Sequence, residues 1–147
     1  MRSSLRLFLL LLWGCVEDSL TQKGSSVCQM PPDLEGGVTK HDVRLVYSHN
    51  EQVEYMCQEH HIMEGGAYKT CVNGEWTGEM RCFKPCIVTT ESMSNHNIGF
   101  RFGRHDKLYS HHNDAIQFRC TTGTKHSGTV GLRQRCTDGT LLLPTCL

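Results

Sequence analysis

The chain has 147 residues, nine of them cysteine, with 15 Lys/Arg balanced by 15 Asp/Glu for a formal net charge of zero. The length admits one domain or two small ones, and no long polar low-complexity stretch is present. No nucleic-acid partner is expected of so balanced a chain.

The first element in chain order is MRSSLRLFLLLLWGCVEDS. Arg2 and Arg6 form a basic start, Leu7 to Trp13 an apolar run, and smaller and polar residues follow. This is the layout of a secretory signal peptide over residues 1–16, cut after Gly14, Cys15 or Val16, and the run is too short to cross a bilayer. Glu17 and Asp18 end the run with no amphipathic pattern beyond, which argues against a buried helix. Bulky Trp13 is wrong for a lipoprotein acylation site. No other apolar run approaches membrane length, so no transmembrane segment is expected. Residues 17–27 read as a polar lead-in. A cut after Cys15 or Val16 takes Cys15 with the signal and leaves eight cysteines, at 28, 57, 71, 82, 86, 120, 136 and 146. An even count in a secreted chain reads as a disulfide framework.

The gaps between these cysteines hold 28, 13, 10, 3, 33, 15 and 9 residues. Long, medium and short occur twice, with a gap of three between, and the flanking residues repeat too. Before the second cysteine of each set stand VEYMC (Val53, Tyr55, Cys57) and IQFRC (Ile116, Phe118, Cys120), which alternate apolar and polar residues as half-buried strands do. Ten or eleven residues earlier lie Tyr47 and Tyr109, within VYS and LYS. From the third cysteine onward come CVNGEW and CTDGTL, whose Asn-Gly and Asp-Gly signal tight turns. The sequence thus predicts two similar units, 28–82 and 86–147, joined by residues 83–85, with no helical period in either. Units this small need staples. Two disulfides per unit, each worth about 2–4 kcal/mol, would supply them. Pairing within each set of four leaves three connectivities per unit, and spacing does not choose among them.

The first unit, with four cysteines, Tyr55 two before the second and Trp76 after the Asn-Gly turn, resembles the complement control protein, or sushi, module. That family pairs first cysteine with third and second with fourth, which implies Cys28–Cys71, Cys57–Cys82, Cys86–Cys136 and Cys120–Cys146. The implied fold class is all-β: two small disulfide-stapled β-sandwich modules in tandem. In the second unit ESMSNHNI, KLYS, FRC and CTDGTLLLPTCL are similar to the C-terminal module of the complement factor H and factor H-related family, and VEYMCQ and CVNGEW to its penultimate module.

The resemblance implies a secreted, extracellular binding protein of innate immunity without enzymatic activity. Its implied partners are fragments of the third complement component and host-surface sialylated glycans or glycosaminoglycans. It would localise or compete, since the family's inhibitory modules have no counterpart here. The alternative is a sushi-type module for another protein or a lipid surface. Carried over residue by residue, complement-fragment contacts fall on Gln58, Trp76, Lys107 and Tyr109. Glycan contacts fall on Arg101, Phe102, His105, Lys107, Lys125 and Arg133. Phe102 replaces a family tryptophan, His105 a lysine and Thr122 an arginine.

Charge divides the same way. From Cys28 to Cys82 four Lys/Arg face nine Asp/Glu, a net of −5; from Cys86 to Leu147 seven face four, a net of +3. A cationic unit suits a polyanion, and five histidines add to it when protonated. No cofactor is expected. The even cysteine count leaves no free thiolate for nucleophilic chemistry. Adjacent histidines at 60–61 and 111–112 would point to opposite strand faces, a poor start for a metal site. In the connection Phe83-Lys84-Pro85, proline fixes its own φ and keeps Lys84 extended, so a stiff coupling is expected.

Overall fold

A computed structural model describes residues 26–103 and 107–147. The signal-peptide expectation for residues 1–16 and nearly all of the lead-in lie outside the described residues, as do Arg104, His105 and Asp106.

The fold is all-β, and two sets of strands pair only within themselves. In the first set β1 (Gly37–Thr39), β2 (Gln52–Cys57), β4 (Tyr68–Val72) and β5 (Glu75–Thr77) form a sheet in the order β1-β2-β4-β5, and β3 (Ile62–Gly65) pairs with β6 (Met80–Phe83). The second set contains β7 (Cys86–Thr89), β8 (Ile98–Phe100), β9 (Lys107–Ser110), β10 (Ala115–Cys120), β11 (His126–Ser127), β12 (Arg133–Arg135) and β13 (Thr145–Cys146). Its sheets run β12-β10-β8, β7-β9 and β11-β13.

The alternation in β2 and β10 does what period two requires. Val53 and Tyr55 are buried against Tyr47, Cys28 and Cys71, while Ile116 and Phe118 are buried against Val88, Ile98 and Phe100. Phe118, at 1% exposure, anchors the second core. Its burial is worth about 1.5–3 kcal/mol. The disulfides join Cys28–Cys71, Cys57–Cys82, Cys86–Cys136 and Cys120–Cys146, with Cα atoms 5.6–5.8 Å apart. This is the connectivity that the resemblance implies.

The second unit adds one element without a signal in the hydrophobic period, a five-residue helix α1 (Thr90–Ser94). Thr89 and Ser92 form a reciprocal capping box at its start, and its Met93 is buried. Five residues are too few for a periodic stripe, so the cap is its readable sign.

The repeat holds in three dimensions, with one correction. Asn50 and Asn113 both take positive φ and donate their N–H to Cys71 O and Cys136 O, at 2.7 and 2.8 Å. Counting three residues back from each gives Tyr47, which bridges Cys28, and Ser110, which pairs with Cys86. Tyr109 is therefore not the equivalent of Tyr47; its equivalent is Val46. A shift of one residue moves a strand side chain to the other face. Tyr47 accordingly sits in the core at 4% exposure, and Tyr109 lies on the surface.

Candidate functional site

The outward face of the β12-β10-β8 sheet carries the strongest concentration of uncompensated charge. Ile116 and Phe118 point inward, so Ala115, Gln117 and Arg119 point outward. Across the ladder Gln117 lies opposite Arg133, Ala115 opposite Arg135 and Arg119 opposite Gly99. Arg101 N–H donates to Gln117 O at 2.9 Å, which places Arg101 beside Gln117 on the other flank. Directly opposite residues share a face. Arg101, Arg119, Arg133 and Arg135 therefore stand together, with the neutral amide of Gln117 at the centre. Glycine at position 99 leaves room for Arg119: a Cβ there would lie 3.6 Å from its guanidinium carbon. The Arg135 guanidinium donates to Asn113 O. Among the described residues none of the four arginines is ion-paired. The Arg101 guanidinium lies 5.6 Å from the centre of the Phe102 ring, which is 73% exposed.

Of the expected glycan residues, Arg101, Phe102 and Arg133 meet on this face. Lys125 does not. Its backbone pairs with Leu147 beside the Cys120–Cys146 bridge, at the end of the unit away from the connection. Lys107 is placed by its backbone pairing with Thr89, and His105 lies outside the described residues. Arg119 and Arg135 were not singled out from the sequence. The signal was present, because alternation in IQFRC sends Arg119 outward and pairing with RQR brings Arg135 alongside.

A second group of side chains surrounds the connection. Lys84 N–H donates to Asp138 Oδ1 at 2.9 Å, and the Arg81 guanidinium donates to Asp138 Oδ2. Asp138 N–H in turn donates to His112 Nδ1 at 3.0 Å, and the His112 ring stacks on Phe83 with centroids 3.9 Å apart. Lys84 Nζ reaches Glu35 at 2.7 Å. The Lys84 N–H bond chiefly, helped by the Arg81 charge, holds the Asp138 carboxyl below the ordinary aspartate range. Glu35 is lowered by its hydrogen bond to Lys84, and Lys84 is raised in return. His60 of the first unit stacks on Tyr109 of the second, centroids 4.3 Å apart and planes 10° apart.

The expected complement-fragment residues are divided by this layout. Gln58 follows the junction-side end of β2, two residues before His60, and Tyr109 is the ring on which His60 stacks. Trp76 is elsewhere. It pairs with Cys71 at the outer end of the first unit, donates its indole N–H to Gln29 O at 3.0 Å and meets the Tyr47 ring edge-on at 5.0 Å. It serves the core and stands apart from the other three.

Comparison with known proteins agrees with this architecture. Residues 28–85 match the family model described as the sushi repeat (SCR repeat). The chain is 33% identical over 119 residues to human complement factor H-related protein 2, covering 81% of this chain and 44% of that protein. It is 32% identical to mouse complement factor H, covering 82% of this chain and 10% of that protein. Mouse coagulation factor XIII B chain is 28% identical over 82% of this chain and 18% of its own length. The chain thus spans less than half the length of these relatives.

Proposed function

Residues 28–85 are a sushi repeat in a chain similar to complement factor H and its related proteins, and from that premise we propose a secreted complement-regulatory protein that acts by binding and not by catalysis. It engages anionic host-surface glycans through its second unit and fragments of the third complement component near its junction. It modulates alternative-pathway activation by localisation or competition. The observation that carries the glycan half is the face of four arginines around Gln117, none of them ion-paired among the described residues. Guanidinium forks on a flat sheet meet sulfate or carboxylate groups at low desolvation cost. The fragment half rests on Gln58 and Tyr109, which lie close to the inter-unit seam, and on Lys107, two residues before Tyr109 on the same strand.

Two measurements test the reading. The chain is expected to be retained on immobilised heparin and released by salt, as exposed charge pairs are screened within about 10 Å at 0.1 M. It is also expected to bind immobilised thioester-containing fragments of the third complement component. Absence of fragment binding at about 50 µM, a free energy weaker than about 6 kcal/mol, sinks that half of the proposal. The similarity to a coagulation factor subunit favours, in that event, the second reading: the same scaffold serving a partner outside complement.

A further inference from the structure

The first unit carries a groove that the glycan and complement-fragment reading does not use. Strand β1 is the edge of the four-stranded sheet. Lys40 N–H donates to Glu54 O, and Tyr55 N–H, opposite Thr39, donates away from β1 to Ala67 O at 2.7 Å. In an antiparallel ladder successive residues turn their backbone groups to alternate sides. The N–H and C=O of Thr39 therefore point away from β2, and no partner for them is found among the described residues. Thr39 lines a groove of about 330 Å³ whose other walls include Pro31, Pro32, Met30, Val38 and Val43. Pro32 is pinned there because Tyr55 Oη–H donates to its carbonyl oxygen at 2.7 Å. Neither proline has an N–H to offer the edge strand. Met30, Val38 and Val43 are 53%, 47% and 40% exposed, a large apolar investment at the rim of one small unit.

Among the described residues, the lysine and arginine at this groove are ion-paired and two of its carboxylates are not. Lys40 is held by Glu54 at 2.9 Å and Arg44 by Glu51 at 2.6 Å. Asp33 lines the groove and Asp42 adjoins it, and among the described residues neither forms an ion pair. They lie in the unit of net charge −5. We propose that this groove binds an extended, basic segment of a partner protein, added as a further strand on the β1 edge. Backbone hydrogen bonds to Thr39 supply register, alternate apolar residues rest against Met30 and Val43, and a Lys or Arg meets Asp33 or Asp42. The site is separate from the arginine face and stands or falls independently of the glycan reading.

The test is fluorescence anisotropy of the whole chain with a labelled octapeptide of alternating lysine and valine. Two control peptides carry glutamate in place of lysine, or proline in place of each valine. The lysine–valine peptide is expected to bind, both controls about tenfold or more weakly, a step of about 1.4 kcal/mol. Thr39→Pro removes the outward N–H and leaves the β1–β2 bonds of Lys40 in place, and it is expected to weaken the peptide about tenfold. A Met30→Lys, Val43→Lys double variant changes only exposed side chains and should do the same; it carries the test if Thr39→Pro fails to fold. Arg133→Ala is expected to leave peptide binding unchanged. Equal binding of the glutamate or proline peptide, or full binding by a folded Thr39→Pro, overturns the proposal. So does concentration-dependent self-association in sedimentation that the double variant abolishes, which would assign the groove to a second copy of the chain.

Discussion

Asn73 in the first unit and Asp138 in the second occupy the same place in the repeat. Each follows the third cysteine by two, takes a positive φ (50° and 46°) and precedes a glycine of positive φ. Each donates its N–H to the Nδ1 of a histidine, His49 or His112, that also matches across the repeat. The difference is one atom in the side chain. Asn73, neutral, closes the outer end of the first unit. Asp138 carries a carboxylate at the junction, where it accepts from the Lys84 backbone and from Arg81. A turn required by the fold in both units thus becomes, in one, the fastening between them. The outward sheet faces differ in the same manner. Where the second unit sets Gln117, Arg119, Arg133 and Arg135, matched positions in the first hold Glu54, Met56, Tyr68 and Thr70. One strand lattice carries an arginine cluster in one copy and a paired acid in the other.

The sharpest way to break this comparison is to open one disulfide in each unit. Removing Cys28–Cys71 or Cys86–Cys136 by paired Cys→Ala changes should cost its own unit about 2–5 kcal/mol. The effects on the neighbouring unit should not be symmetric. Cys136 stands two residues before Asp138, so losing its bridge loosens the turn that holds Arg81 and Lys84. Cys71 lies at the outer end, away from the seam. Calorimetry should show the first unit's transition lowered when Cys86–Cys136 is absent, and the second unit's transition little changed when Cys28–Cys71 is absent. Equal cross-effects would mean that Asp138 does not couple the units.

Next in size is the arginine face. Arg119→Ala with Arg135→Ala should lower heparin affinity about threefold to tenfold and flatten its salt dependence, since exposed charge contacts are worth about 1 kcal/mol or less each. Met56→Ala with Thr70→Ala, the matched changes in the first unit, should not move heparin elution. A Lys125→Ala variant that lowers it as much as the arginine pair would shift the site to the far end of the second unit.

How much of this was legible follows from the range of the interactions. The strands at VEYMC and IQFRC and the two Gly-containing turns rest on local pattern, and the chain adopts them. Arg119 was equally legible, because the alternation that buries Phe118 also turns its neighbour outward; the family comparison drew attention to other arginines instead. The junction was only half legible. Residues 83–85 are short and proline-bound, but the contacts around them come from Asp138, His112 and Glu35, which are distant in sequence and identified only by the pairing of whole units. The two tyrosines misled for a geometric reason. VYS and LYS look alike, yet Tyr47 stands ten and Tyr109 eleven residues before their cysteines, and one residue is half the strand period.

Smaller still is the expected effect of Asp138→Asn, which installs the residue found at the matched turn. The turn should survive, because Asn tolerates positive φ. The ionic hold on Arg81 should not, and small-angle scattering should report a wider spread of inter-unit angles with both cores intact. The pH dependence has a definite sign. The Asp138 carboxyl is lowered in the folded protein, so its contribution is fully present above the ordinary aspartate value of about 4 and fades as the pH falls through the lowered one. The Asp138 share of the coupling should therefore be constant from neutrality down to about pH 5 and weaken below about pH 4. A variant with Asn at 138 should show no such step of its own, although Glu35 and Lys84 contribute a step in the same direction.

The smallest change separates the two tyrosines. Tyr109 lies at the surface and stacks one ring face on His60, so its expected share of stability is of the order of an exposed aromatic pair. Tyr109→Val, which installs the residue of the matched position Val46, should cost about 0.5–1 kcal/mol, the scale of a single stacked pair. At Tyr47 the same substitution would empty part of the first core and leave the Arg44 N–H without the phenol oxygen that it reaches at 2.8 Å. The Tyr109 variant is therefore the cleaner probe of function. If the junction contributes to fragment binding, affinity for the third complement component should drop by a larger factor than the melting shift accounts for, and His60→Ala should produce only part of that drop. If affinity and stability fall together, Tyr109 acts only by holding the units in place.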